Sequence, residues 1–270
     1  MHRLALRATV VWTAAATLFA AEAERKAAPR VADGGVVNAA GFDNGPGGFV
    51  APGSIVAIFG EELAGRAQAV RADDISGLRL PLSLANVSVI IGEQLAPLYY
   101  VSPNQVNCQV PGNLRPRDAP YQLLVLHSNE ASASAPLLIR PAAPGLFPVV
   151  AHQDFSIVGR GEGLRPAHPG ELIVLFGAGF GPTKVLTDNG QIARAPEPIA
   201  LPAKVLLNDV EVAPERVLYV GVTTGYAGLY QVNLLLPEDL APGDVTAIVE
   251  VDGVRSPVGV EVAVEPSPDP

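Results

Sequence analysis

Cysteine and tryptophan each occur once in 270 residues, and lysine only at Lys26, Lys184 and Lys204. A lone Cys108 excludes an intramolecular disulfide and a zinc site built on thiolates. Trp12 falls in the apolar N-terminal stretch, so the rest of the chain has no indole to offer a sugar ring. The formal charge is -9 and no basic run occurs, which argues against nucleic acid and anionic membrane surfaces as partners. Charged residues make up 17%, too few for a solvated disordered chain.

The chemistry-bearing motifs are equally sparse. No G-x-S-x-G elbow occurs, and His127, His152 and His168 stand apart from one another in sequence, in no metal-ligand spacing. Asp73-Asp74 and Asp188-Asn189-Gly190 lack the D-x-D-x-D-G pattern of a calcium loop and read as turns. Gly177-Ala-Gly179-Phe-Gly181 follows an apolar run, but Pro182 comes next where a dinucleotide loop must open a helix. The sequence thus offers no catalytic residue, no cofactor site and no metal site.

What is present points to export and to strands. Arg3 and Arg7 precede an apolar stretch from Ala8 to Ala21, and Ala21-Glu22-Ala23 has the small-x-small form of a cleavage site. Residues 1–23 are expected to be a signal peptide and 24–35 a linker, leaving no transmembrane helix in the mature chain. The 27 glycines and 26 prolines, with no G-X-Y period, suggest many turns between short strands.

The chain also repeats itself. Ala51-Pro-Gly-Ser-Ile-Val-Ala-Ile-Phe-Gly60 returns as His168-Pro-Gly-Glu-Leu-Ile-Val-Leu-Phe-Gly177, and Gln105-Val-Asn-Cys-Gln-Val-Pro111 as Gln231-Val-Asn-Leu-Leu-Leu-Pro237. Strands are expected at 54–59, 121–127 and 135–140, and again at 171–176, 245–251 and 258–264. Val106, Cys108 and Val110 alternate with polar residues, as do Val232 and Leu234, giving each copy a half-buried strand. No 3.6-residue period is sustained. The expectation is all-β: two tandem immunoglobulin-like β-sandwich domains from an internal duplication, at 36–145 and 146–264, with a disordered Pro-rich tail at 265–270.

Five segments together resemble the uncharacterised C-terminal domain of exported acidobacterial proteins of the Solibacter type. They are Val36–Phe42, Ala51–Gly60, Leu98–Asn107, Ala143–Phe147 and Gly228–Asn233. Cys108 departs from that pattern, where a larger apolar residue is expected. Each half is also similar to the IPT/TIG type of immunoglobulin-like module. The resemblance implies an exported, accessory, non-enzymatic module and brings no ligand or active site with it.

Two sets of residues stand out as candidates. Tyr99, Tyr100, Tyr226 and Tyr230 flank the repeated Gln-x-Asn strand and are candidates for binding a glycan or a protein. Gln105 and Asn107, with their counterparts Gln231 and Asn233, lie on the outward phase and are expected to hydrogen-bond loop backbone near Pro111 and Pro237. The favoured reading is a non-catalytic secreted or cell-surface module for adhesion or protein assembly. A carbohydrate-binding protein is the alternative, and a hydrolase with an unfamiliar site is a third.

Overall fold

The computed structural model describes residues 27–41, 49–128, 130–185 and 188–266. The expected signal peptide lies outside the described residues, as do residues 267–270 of the expected tail. The described chain is strand-rich, and its only helical turns are two 3-10 turns, Ala72–Asp74 and Pro214–Arg216.

The repeated Pro-Gly signature is a turn that launches a strand. At Ala51–Ser54 the Ser54 amide donates to the Ala51 carbonyl at 3.2 Å, and Gly53 has φ of 77°. At His168–Glu171 the equivalent bond is 3.0 Å and Gly170 has φ of 78°. Proline followed by a left-handed glycine is what a type II turn demands. The fourth residue caps each turn with its side chain: Ser54 Oγ accepts from the Ala51 amide at 3.1 Å, and Glu171 Oε2 from the His168 amide at 3.0 Å.

The first unit contains β1 (Arg30–Asn38), β2 (Phe49–Val50), β3 (Ile55–Glu61), β4 (Gln68–Ala69), β5 (Val87–Ile91) and β6 (Gln94–Ala96). It continues with β7 (Leu98–Ser102), β8 (Gln105–Gln109), β9 (Arg117–His127), β10 (Glu130–Ala131) and β11 (Ala135–Ile139). The second contains β12 (Gly145–His152), β13 (Leu172–Ala178), β14 (Glu197–Pro198), β15 (Ala203–Leu207) and β16 (Val210–Glu211). Then come β17 (Val217–Val222), β18 (Tyr230–Leu235), β19 (Gly243–Val251), β20 (Val254–Arg255) and β21 (Val260–Val264).

Each unit is two sheets around its own core. The front sheets run β1-β3-β8-β7-β4 and β12-β13-β18-β17-β14, the same order of equivalent strands. The back sheets run β2-β11-β9-β5-β6, with β10 on β9, and β16-β15-β19-β20, with β21 on β19. Even the parallel contact of β2 with β11 has a counterpart, a single bridge between Ala167 and Val264. Alternating residues of the facing sheets fill the cores: Val56, Ile58, Val106 and Cys108 meet Val89, Ile91, Leu123 and Val125 in one. Ile173, Leu175, Val232 and Leu234 meet Val205, Leu207, Val245 and Ala247 in the other. The inward phase read from the sequence for Val106, Cys108, Val110, Val232, Leu234 and Leu236 is the buried one.

The linker expected at 24–35 ends sooner than its composition suggests. From Arg30 the chain is already β1, with Arg30 opposite Glu61 and Val31 opposite Gly60. A bulge between Val31 and Val36 absorbs Asp33-Gly34-Gly35, and this interruption hides the strand's period in the sequence.

The glycine that closes the repeated motif is fixed by the edge strand. A Cβ on Gly60 would stand 2.1 Å from the Arg30 carbonyl oxygen, and one on Gly177 2.5 Å from that of Gly145. Gly60→Ala and Gly177→Ala are each expected to destabilise the fold by about 1–3 kcal/mol, as overpacking does. A lower urea midpoint with an unchanged slope is the expected reading.

Candidate functional site

An apolar run without alternation must be covered on both faces, and Ile55–Phe59 is such a run. Val56 and Ile58 enter the first core, while Ile55, Ala57 and Phe59 face outward. The second unit covers that outer face: Ala178, Phe147 and Leu229 pack with Ala39, Ala40, Ile55, Ala57, Phe59 and Tyr99.

Polar side chains of the first unit pin the junction, mostly to backbone of the second unit and of the segment that joins the two. Asn38 Nδ2 donates to the carbonyls of Ala143 at 2.8 Å and Ala178 at 3.2 Å, while its Oδ1 accepts from the Ala40 amide at 2.8 Å. The Tyr99 hydroxyl accepts from the Ala227 amide at 2.9 Å and donates to the Ala227 carbonyl at 2.6 Å. Burial pushes that hydroxyl up to about 12. Gln109 donates to the Gly53 carbonyl at 3.2 Å and accepts from the Gly190 amide at 2.8 Å. In return Asn189 Oδ1 accepts from the Gly112 amide at 2.7 Å. Leu78 and Leu80 also exchange backbone hydrogen bonds with Ile192 and Gly190, and Arg79 pairs with Asp188.

These contacts leave a cleft of about 60 Å³ at the edge of the junction, lined by Gln109, Thr183, Asn189, Glu197 and Tyr230 among others. It has room for a few waters and is well below the roughly 300–1,000 Å³ of small-molecule sites.

The structure separates the four candidate tyrosines. Tyr230 is 2% exposed, its ring packs on Phe180 at 5.1 Å between centroids, and its hydroxyl donates to the Gly181 carbonyl. It shares the inward phase of Val232, Leu234 and Leu236, one step earlier than the alternation suggested, and presents no surface for binding. Tyr99 is consumed by the junction. Tyr100 is half-buried on the front sheet, and Tyr226 is exposed at 49%.

The Gln-x-Asn pairs also differ from expectation. Gln105 Nε2 donates to Asn107 Oδ1 at 2.8 Å, and Gln231 Nε2 to Asn233 Oδ1 at 2.9 Å. Residues two apart on a strand share a face, so each amide finds its neighbour before it can reach the loops at Pro111 and Pro237. The bond to loop backbone is made by Gln109, the next outward residue on β8.

His152, isolated in sequence from the other histidines, belongs to a buried cluster. His152 on β12 is fully buried, with Nδ1 at 2.6 Å from Glu171 Oε1 and Nε2 at 3.0 Å from the Arg165 carbonyl. Both ring nitrogens are thereby engaged, one by a carboxylate and the other by a backbone carbonyl. Arg165 adds bonds to Glu171 at 3.1 Å and Asp154 at 3.5 Å. The cluster ties the loop 153–171 to the sheet. Burial pushes the Glu171 carboxyl up, but bonds from His152, the His168 amide and Arg165 outweigh it and hold the group below its ordinary range. Cys108 is sealed in the first core, where burial pushes the thiol up to about 12. Among the described residues, no group of three or more His, Cys, Asp or Glu is placed to hold a metal, and no helix is long and apolar enough to cross a membrane.

Residues 47–140 match the IPT/TIG domain family, and the first unit is an immunoglobulin-like module. No curated protein matches the chain. Among solved structures it is similar to the SGBP-B of the Bacteroides ovatus mixed-linkage glucan utilization locus, in complex with a mixed-linkage heptasaccharide. Identity there is 12%, with 81% of this chain and 44% of that one covered, at a TM-score of 0.32. It is also similar to the plexin A4 full extracellular region, at 13% identity, 89% and 19% coverage and a TM-score of 0.29. A third is the Gamma-CGTase of Alkalophilic bacillus clarkii, at 11%, 89% and 27%, and 0.28. The chain spans less than half the length of each, and likeness at this level assigns neither ligand nor partner.

Two outcomes are expected. Asn38→Ala removes the side-chain donor to the buried carbonyls of Ala143 and Ala178 and should cost roughly 2 kcal/mol, with calorimetry showing the units beginning to melt separately. The depressed Glu171 carboxyl contributes stability that is present above the ordinary glutamate range and is lost as pH falls through its lower folded value. Melting temperature should therefore drop in that acidic window, and Glu171→Gln should flatten the drop.

Proposed function

We propose that the chain is an exported, non-catalytic module for protein–protein assembly, built by duplication of one immunoglobulin-like unit. One observation carries this reading: the fold already uses the outer face of a front sheet as a protein-binding surface. There a sandwich unit is held by apolar packing together with Asn38, Tyr99 and Gln109. A second unit gripped in this way gives a stiff spacer with a defined direction, the mechanical property an accessory surface module needs.

The likeness to exported acidobacterial domains and the n-region, apolar stretch and Ala21-Glu22-Ala23 site support delivery outside the cytoplasm. The tyrosines give the carbohydrate reading little support, since Tyr230 is core and Tyr99 is bound at the junction.

The test pairs two assays on the purified mature chain. Immobilised chain should retain a protein from envelope or medium fractions at fixed stoichiometry, and a glycan array should give no saturable signal. Saturable glycan binding that disappears on Tyr226→Ala would replace this proposal with the carbohydrate reading. A hydrolytic activity abolished by changing one histidine would replace it with an enzyme.

A further inference from the structure

The two front sheets carry the same outer face, but only one of them is covered. Strand register sets the equivalence. Ala57 opposes Asn107 as Val174 opposes Asn233, and Phe59 opposes Gln105 as Phe176 opposes Gln231. Ile55 opposes Gln109 as Leu172 opposes Leu235. Tyr100 and Tyr219 face the two asparagines across matching bulges, which makes Leu218 the counterpart of Tyr99.

On the first unit this face is closed by the second. On the second unit Val174 at the centre of the face is buried, Leu172, Phe176, Tyr219 and Leu235 around it are half-buried, and Leu218 is 55% exposed. Ile157, which bridges Ala151 at the sheet edge, is 42% exposed. The open copy is also the more apolar one: Leu218 and Leu235 stand where the covered copy has Tyr99 and Gln109. Apolar side chains left at a sheet surface with no partner unit over them mark interaction sites.

The covered copy shows what such a face accepts, namely the end of another sandwich unit bearing small and apolar residues, here Phe147, Ala178 and Leu229. We propose that the outer face of the second unit's front sheet docks the end of a further β-sandwich unit of this type, in the way the second unit docks on the first. The proposal rests on the assembly reading and names its surface and partner. A second copy of this chain is a poor occupant, because the equivalent end of its first unit is exposed and polar. Glu61, ion-paired with Arg30, replaces Ala178, and Pro103 replaces Leu229.

That difference supplies the test. Ala32, Glu61 and Pro103 are all exposed, so Ala32→Phe, Glu61→Ala and Pro103→Leu in the full chain should convert this end without unfolding it. Wild type should sediment as a monomer. The triple variant should associate head to tail, with weight-average mass about doubling or more. Adding Phe176→Glu should weaken that association by about tenfold or more. A triple variant with native circular dichroism that stays monomeric, or association indifferent to Phe176→Glu, would overturn the proposal. Self-association of wild type would overturn the choice of occupant. If the triple variant loses its fold, Glu61→Ala with Pro103→Leu repeats the test at two sites. An envelope protein captured equally by wild type and Phe176→Glu would sink this face and leave the assembly reading standing.

Discussion

The structure depends on β3 being buried on both sides. A sandwich normally asks only one face of each strand to be apolar and leaves the other to water. Ile55–Phe59 violates that economy, with Val56 and Ile58 serving the first core and Ile55, Ala57 and Phe59 serving the junction. Left uncovered, the outer residues would face solvent across the centre of a sheet. The second unit thus shields the first unit's outer face, and the two are joined by a small apolar layer flanked by hydrogen bonds.

The repeats diverge where the junction needs them to. The position held by Asn38 on β1 is held by His152 on β12, as the pairings Asn38 with Val56 and His152 with Ile173 show. Asn38 reaches the Ala143 carbonyl of the segment that joins the units and the Ala178 carbonyl of the second unit, whereas His152 turns to Glu171 and the Arg165 carbonyl within its own unit. The turn caps differ too, Ser54 in one unit and Glu171 in the other. The Glu171 carboxylate also bonds the imidazole and Arg165. The same sheet position is an anchor at the junction in one unit and a clamp on a long loop in the other.

How much of this was legible follows from the range of each interaction. Strand phase is local, so Val106, Cys108, Val110 and their counterparts could be placed from alternation alone, and the Pro-Gly turns from two residues. The β1 start was hidden because its bulge interrupts the period. The Gln-x-Asn pairs are visible in the sequence, but each amide bonds the nearest acceptor on its own strand face and not the more distant loop. The junction contacts of Asn38, Tyr99 and Gln109 span between 81 and 140 residues of chain, and nothing in the sequence near them announces a partner that far away. The His152 cluster is closer in sequence but is assembled by a loop whose path no periodicity predicts. The non-alternating run Ile55–Phe59, like Leu172–Phe176 on the equivalent strand, is the visible sign of an apolar outer face.

The anchors bond chiefly to backbone atoms, and that determines where the junction tolerates change. A carbonyl or amide offers the same hydrogen bond whatever side chain it carries, so residues of the opposing unit can vary so long as its main chain keeps its path. The restriction moves to positions where two main chains nearly touch. A Cβ on Gly179 would lie 2.1 Å from the Ala143 carbonyl oxygen and 2.7 Å from Asn38 Nδ2. One on Gly228 would lie 2.3 Å from the Gly53 carbonyl oxygen and 2.7 Å from Gln109 Nε2. The glycine cluster that superficially suggested a nucleotide loop therefore has a different physical origin. Gly177, Gly179 and Gly181 lie against the carbonyls of Gly145, Ala143 and Pro141, so the cluster marks where the chain passes from one unit into the next, while Gly228 marks the close approach of the two units themselves.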